Sequence, residues 1–212
     1  MPTRSTVLHV QGLTFTYPDQ PALADAWSAS IAAGVTLLHG DTGSGKSTLL
    51  RVLAGTLPAT GRLTLAGVRL DTDATGYRRA VFRCDPATDA FDQVTAREAT
   101  ASLCDGDTGF DTSAWQALVE GFALAPHLDK PIYMLSTGSR RKVWLAAALA
   151  AGRALTLLDE PTGGLDAASI NCLMRALDDL AAQRERAIVI ASAERLARVA
   201  LAGVIELPLR GA

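Results

Sequence analysis

Gly40-Asp41-Thr42-Gly43-Ser44-Gly45-Lys46-Ser47-Thr48 fits the pattern G-x-x-x-x-G-K-[ST], whose residue types suit the holding of a polyphosphate. Glycines let the backbone curl so that successive N–H groups point inward at phosphate oxygens, with the positive end of a helix dipole behind them. Lys46 would bridge the outer phosphates. Ser47 would offer its hydroxyl to Mg²⁺, which keeps most of its octahedral shell as water and phosphate oxygen. A Gly-rich turn before a helix can arise without function. Here, however, the apolar run Val35–Leu38 precedes the loop and a helical pattern begins near Lys46, the context the motif needs.

A second segment supplies carboxylates. Ala154-Leu155-Thr156-Leu157-Leu158-Asp159-Glu160 reads as a buried strand with two acids at its end, and a parallel sheet places strand ends beside a phosphate loop. Asp159, at the strand tip, would hold Mg²⁺ through water. Glu160, pointing past the metal, would orient or deprotonate the water that attacks a γ-phosphate. Taken alone, the pair is equally an acidic turn before Pro161; the phosphate loop upstream argues for the chemistry.

The elements that must position these groups are visible as patterns. Val35–Leu38, Leu155–Leu158 and Ile188–Ile190 are short, continuously apolar runs, as in strands covered on both faces. Each has a helix-like segment after it, which predicts a βαβ architecture with ligands at the carboxyl ends of the strands. Alternation from Val7 to Tyr17, and in Leu63–Leu65 and Val68–Leu70 across an Ala66-Gly67 turn, predicts antiparallel strands. From about Thr88 to Leu135 the pattern is helical only. Thr95-Ala96-Arg97-Glu98 is a capping box, Trp115, Leu118, Val119 and Phe122 share a helix face, and Cys104–Asp111 is an internal loop. The predicted fold is α/β: a P-loop NTPase core, mostly parallel sheet flanked by helices, with an N-terminal antiparallel β subdomain and an inserted helical subdomain. Residues 1–87 and 136–212 would form the core and the antiparallel part of one domain, and 88–135 the helical insertion.

Composition narrows the function classes. With 212 residues, 49% of them apolar, the chain can bury one sizeable core. Its net charge is −2 and its basic residues are scattered, so no nucleic-acid partner is expected. Cys84, Cys104 and Cys172 lie far apart without CxxC spacing, which fits a reduced, cytoplasmic setting. The N-terminus lacks the pattern of a signal peptide, and no run approaches the roughly 20 apolar residues of a membrane helix. Work at a membrane would therefore require a partner.

The order of these segments resembles the ATP-binding cassette (ABC) ATPase family along nearly the whole chain. Leu135-Ser136-Thr137-Gly138-Ser139, followed by Arg140-Arg141-Lys142, is similar to the family signature LSGGQ and its basic tail at the end of the helical lobe. By itself the pentapeptide is also a helix N-cap. The resemblance implies that Ser136 and the amides at Gly138 meet the γ-phosphate bound by an opposite subunit, closing two ATPs into a head-to-tail dimer. It places Tyr17 where an aromatic ring stacks on adenine, although a half-buried strand tyrosine is the plainer reading. Gly163-Gly164-Leu165-Asp166 resembles the D-loop, with Asp166 either reaching across the dimer, capping a helix, or both. Implied cofactors are ATP and Mg²⁺. Implied partners are a separate transmembrane permease subunit and a second cassette, as homodimer or heterodimer, at the cytoplasmic face of the membrane.

Two positions depart from the family pattern. Where the family has a glutamine after the strand entering the helical lobe, Val81-Phe82-Arg83-Cys84-Asp85-Pro86 offers Cys84, or Asp85 if the alignment slips by one; a thiol is a weak substitute for an amide. Where the family has a histidine on the γ-phosphate, the chain reads Ser192-Ala193-Glu194, and Ala193 has no side chain for that contact. His9, His39 and His127 are read as structural or solvent-facing. Losing one preorganised group near the transferring phosphoryl lowers rate by roughly 10²–10³, so slow hydrolysis is expected. Three readings remain: a transporter ATPase, a weakly hydrolysing regulatory half of a heterodimer, and a soluble cassette without a membrane role. The short length and the Leu-Ser-Thr-Gly signature also resemble the ATPase subunit of the cytochrome c haem exporter.

Overall fold

The computed structural model describes residues 4–83, 85, 87–196 and 198–209. The strands are β1 (Thr6–Phe15), β2 (Ala24–Ala32), β3 (Gly34–His39), β4 (Thr60–Leu65), β5 (Val68–Arg69), β6 (Val81–Arg83), β7 (Leu155–Asp159), β8 (Ala187–Ser192) and β9 (Leu201–Glu206). The helices are α1 (Lys46–Leu53), α2 (Ala74–Arg79), α3 (Ala96–Leu103), α4 (Thr112–Gly121), α5 (Thr137–Ala150) and α6 (Ala167–Ala181). β2, β1, β4 and β5 form an antiparallel sheet in that order, and β6-β7-β8-β3-β9 form a parallel sheet.

The apolar runs read as doubly covered strands are just that. Every residue of β8 is buried, with Ala187, Val189 and Ala191 facing one core and Ile188 and Ile190 the other. Alternate side chains leave opposite faces of a strand, so only a sheet sandwiched between two layers uses such a sequence. One core joins the antiparallel sheet and α1 to the parallel sheet; the other joins α3, α4, α5 and α6 to its far face. α5 packs on α3 and α4 as well as α6, so the second core runs without a break from the segment 88–135 into the rest of the chain.

The capping box forms: Thr95 accepts from the Glu98 amide while the Glu98 carboxylate accepts from the Thr95 amide, and that contact holds the carboxyl below its ordinary pKa. One expectation fails. β3 and β7 lead into α1 and α6, but β8 is followed by bends and a turn rather than a helix among the described residues. Residues 193–200 are too few for a helical crossover, and their ends are tethered, Glu194 N–H to Ser192 Oγ and Ala200 N–H to Asp178 Oδ1.

The end of the sheet away from the strand tips is held by Arg186, which is 8% exposed. Its guanidinium donates to the carbonyls of Ala148 and Leu149, the last turn of α5, and to Thr156 Oγ1 on β7 at 2.8 Å. Burial pulls its pKa down to about 10, still charged at neutral pH. Arg186→Met leaves two carbonyls and a hydroxyl buried without partners. A loss of about 2–4 kcal/mol follows, which lowers the thermal midpoint by roughly 4–16 °C in a scanning-calorimetry comparison with the wild type.

Candidate functional site

β8 lies between β3 and β7 in the sheet, so the turns after all three strands emerge side by side. The loop after β3 is Gly40–Gly45. Gly43 and Gly45 have φ of +83° and +96°, which glycine adopts without strain. At Gly45 a Cβ would also lie 2.4 Å from Leu23 Cδ1, so the antiparallel sheet leans directly on the loop. Gly40 is buried, Asp41, Thr42 and Gly43 are exposed, and Ser44 and Gly45 are half-buried. α1 starts at Lys46 with no side chain capping its first turn, where Ser47 is exposed and Thr48 half-buried. Helix amides without a cap, together with a buried Ser44 Oγ that has no hydrogen-bond partner, form a cradle lacking only its acceptor. These residues therefore fit a bound phosphate.

Lys46 is buried and fully engaged. Its ammonium donates to the carbonyls of Gly40 at 2.7 Å and Asp41 at 3.0 Å, and lies 3.2 Å from Glu160 Oε1. Asp159 ends β7 and is half-buried. Glu160 follows with φ +40°, a left-handed backbone that costs a non-glycine residue roughly 1–2 kcal/mol. Its N–H donates to Ala191 O at 2.9 Å, and its Oε1 also accepts from the Ala193 N–H at 3.1 Å. The phosphate loop, the acid pair and the residue after β8 thus meet at one carboxylate.

Ser136 and Gly138 lie in a different group. Ser136 is the N-cap of α5, its Oγ accepting from the Ser139 N–H at 3.1 Å. A Cβ on Gly138 would sit 2.8 Å from the Gly164 carbonyl oxygen, so this segment packs on the connection from β7 to α6. The three basic residues that follow take different partners: Arg140 pairs with Asp92, Arg141 Nη1 donates to the Glu160 carbonyl at 2.6 Å, and Lys142 Nζ lies 2.7 Å from Asp166 Oδ2. Asp166 is the N-cap of α6, accepting from the Ser169 N–H at 2.8 Å, and Lys142 with that amide holds its carboxyl far below the usual carboxylate range.

A family model described as ABC transporter matches residues 26–163, more than half of the chain. The chain belongs to the ABC transporter family. It is the ATP-binding domain of that family. Over 187 residues it is 35% identical to the cobalt import ATP-binding protein CbiO of Rhodobacter capsulatus, covering 83% of this chain and 66% of that protein. Over 159 residues it is 41% identical to the cytochrome c biogenesis ATP-binding export protein CcmA of Rhodospirillum rubrum, covering 73% and 64%. The chain therefore spans about two thirds of the length of these two relatives. Among solved structures it shares its fold with cbiO1 from Clostridium perfringens, part of the ABC transporter complex cbiONQ, with a TM-score of 0.67, 23% identity, and coverage of 89% of this chain and 79% of that one.

Of the positions read in the sequence as departures from the family pattern, Cys84 lies outside the described residues, and Asp85 accepts from the Ala87 N–H at 3.0 Å. Ala193, read there as standing in place of a histidine, puts a backbone N–H on Glu160. His39, the last residue of β3, is bound to Glu206 Oε2 at 2.7 Å, and this contact lowers the Glu206 pKa. Tyr17 is brought to the site: its hydroxyl is 3.3 Å from Thr48 Oγ1, and Phe15 packs edge-on against a ring that stays 36% exposed. Sequence reasoning missed Leu23 against Gly45, the Ala193 amide and the separate partners of Arg141 and Lys142; all but the Lys142–Asp166 pair involve backbone atoms or close approach, which residue types do not announce. In the cassette, Gly138→Ala forces apart two backbones that touch. Its urea midpoint falls by the equivalent of about 1–3 kcal/mol with an unchanged slope.

Proposed function

We propose that this cassette binds Mg·ATP, closes head-to-tail with a second cassette, and hydrolyses the nucleotide to drive a separate transmembrane permease subunit from the cytoplasmic face of the membrane. The observation that carries the reading is the meeting of Lys46, Glu160 and the Ala193 amide above three adjacent strand ends. The phosphates take the place of the Gly40 and Asp41 carbonyls on Lys46. Ser47 and Asp159 hold the Mg²⁺, which neutralises charge on the outer phosphates when bound. Glu160, released from Lys46, orients and deprotonates the attacking water, and Tyr17 stacks on adenine.

By the family resemblance, Ser136 and the Gly138 amide serve the partner's nucleotide; in their own chain Ser136 caps α5 and Gly138 packs on Gly164. Among the described residues no helix is long and apolar enough to cross a membrane. The import and export names of the relatives support coupling to a transporter. The segment 88–135 is the docking surface for the permease, and Tyr133 and Met134, 54% and 60% exposed, are apolar side chains there with little else to cover them.

Ala193 makes turnover slow. A peptide N–H holds Glu160 but does not reach out to a γ-phosphate as an imidazole does, so ATP binding and dimer closure survive with a reduced rate. The same observation favours a second reading, in which the cassette is the ATP-gated half of a heterodimer.

Steady-state phosphate release decides between them. Wild-type turnover that is abolished by Lys46→Ala and by Glu160→Gln supports the motor, with Glu160→Gln still giving ATP-dependent dimers on gel filtration. Nucleotide binding without phosphate release in the wild type overturns the motor in favour of the gated half. Restoring the imidazole in Ala193→His raises kcat by about 10-fold or more, read in the same assay.

A further inference from the structure

Glu160 combines three features that need an external hold. Its φ of +40° belongs to glycine, it precedes a proline, and its side chain must point back over the strand ends. The hold on its carbonyl comes from two donors: the Gly163 N–H at 3.1 Å and Arg141 Nη1 at 2.6 Å. The arginine contact is short and charge-assisted, the stronger kind. A Cβ on Gly163 would lie 2.6 Å from Nη1, so the guanidinium is wedged under the turn itself.

Arg141 makes this contact at some expense. Its Nε is buried without a partner, and among the described residues it forms no ion pair, whereas its neighbours Arg140 and Lys142 both meet carboxylates. A side chain that faces a backbone carbonyl with a full charge is placed for that carbonyl. The contact also starts from the second turn of α5, whose N-cap is Ser136.

We propose that Arg141 is a positioning residue for Glu160, and that it ties the orientation of the Glu160 carboxylate to the seating of the helix that begins at Ser136. The inference rests on Glu160 as the residue that activates water. With Arg141 in place, φ of Glu160 stays left-handed and its carboxylate stays over the strand ends, on Lys46 and the Ala193 amide in this structure and held there to meet water once phosphate takes Lys46. When α5 is displaced, the turn relaxes and the carboxylate loses that position. A second subunit engaging Ser136 and Gly138 therefore acts on Glu160 through one guanidinium.

The test compares Arg141→Ala, Arg141→Lys, Glu160→Gln and the double variant Arg141→Ala/Glu160→Gln, each first checked for folding by thermal melt. In the turnover assay Arg141→Ala lowers kcat by about 10-fold or more without raising KM for ATP, added guanidinium ion restores part of the loss, and Arg141→Lys is intermediate. Because Glu160 competes with phosphate for Lys46, Glu160→Gln tightens ATP binding, measured by titration without hydrolysis. Arg141→Ala tightens it too, and the double variant adds nothing further. Full turnover in Arg141→Ala beside a dead Glu160→Gln overturns the positioning role alone. Full turnover in Glu160→Gln overturns the reading of Glu160 instead, and the affinity cycle then judges Arg141: additive effects, or an unchanged affinity in Arg141→Ala, reject it. The same cycle applies if the wild type does not turn over.

Discussion

A buried ammonium must have its three protons taken, and in this cassette that requirement draws the site together. Lys46 finds two acceptors in the carbonyls of its own loop, Gly40 and Asp41, and the third in Glu160, which follows a different strand. The last contact exists because β8 separates β3 from β7 by only one strand's width, so the loop after one and the acid after the other are within reach. In the function proposed above, phosphate oxygens would satisfy the same protons. Nucleotide binding would then be an exchange of acceptors around a fixed cation, and the carboxylate set free would be the one proposed to handle water.

Much else in the fold serves that arrangement. The parallel strands are apolar on both faces because they lie between the antiparallel sheet with α1 and the layer of α3, α4, α5 and α6, leaving their tips as the polar end of the sheet. Leu23 and Tyr17 bring the antiparallel sheet onto the phosphate loop, and the basic residues of α5 tie the helical layer to the turn after β7. Each layer thus touches the site at a few named atoms.

What the sequence displayed and what it concealed divide along a physical line. Gly43, Gly45 and Lys46 stand in a motif whose spacing is its mechanism, and the unbroken apolar runs of β3, β7 and β8 follow from double burial. The segment after β8 has the alanines, arginines and leucine of a helix, yet eight residues between two parallel strands of one sheet leave no room for a helical crossover. Gly138 could be read as part of a signature, but its close approach to the Gly164 carbonyl could not. Arg141 sat within a basic tail of three residues that look interchangeable. Their partners differ because each points from a different side of α5, and one of those partners is a carbonyl that carries no mark in the sequence.

The amide of Ala193 has a further consequence. An imidazole gains and loses a proton within the physiological range, and any site built on one inherits that sensitivity. A peptide N–H does neither. The donor facing Glu160 after β8 therefore keeps the same charge from mildly acidic to mildly alkaline surroundings, so acidity does not switch this contact from the donor's side.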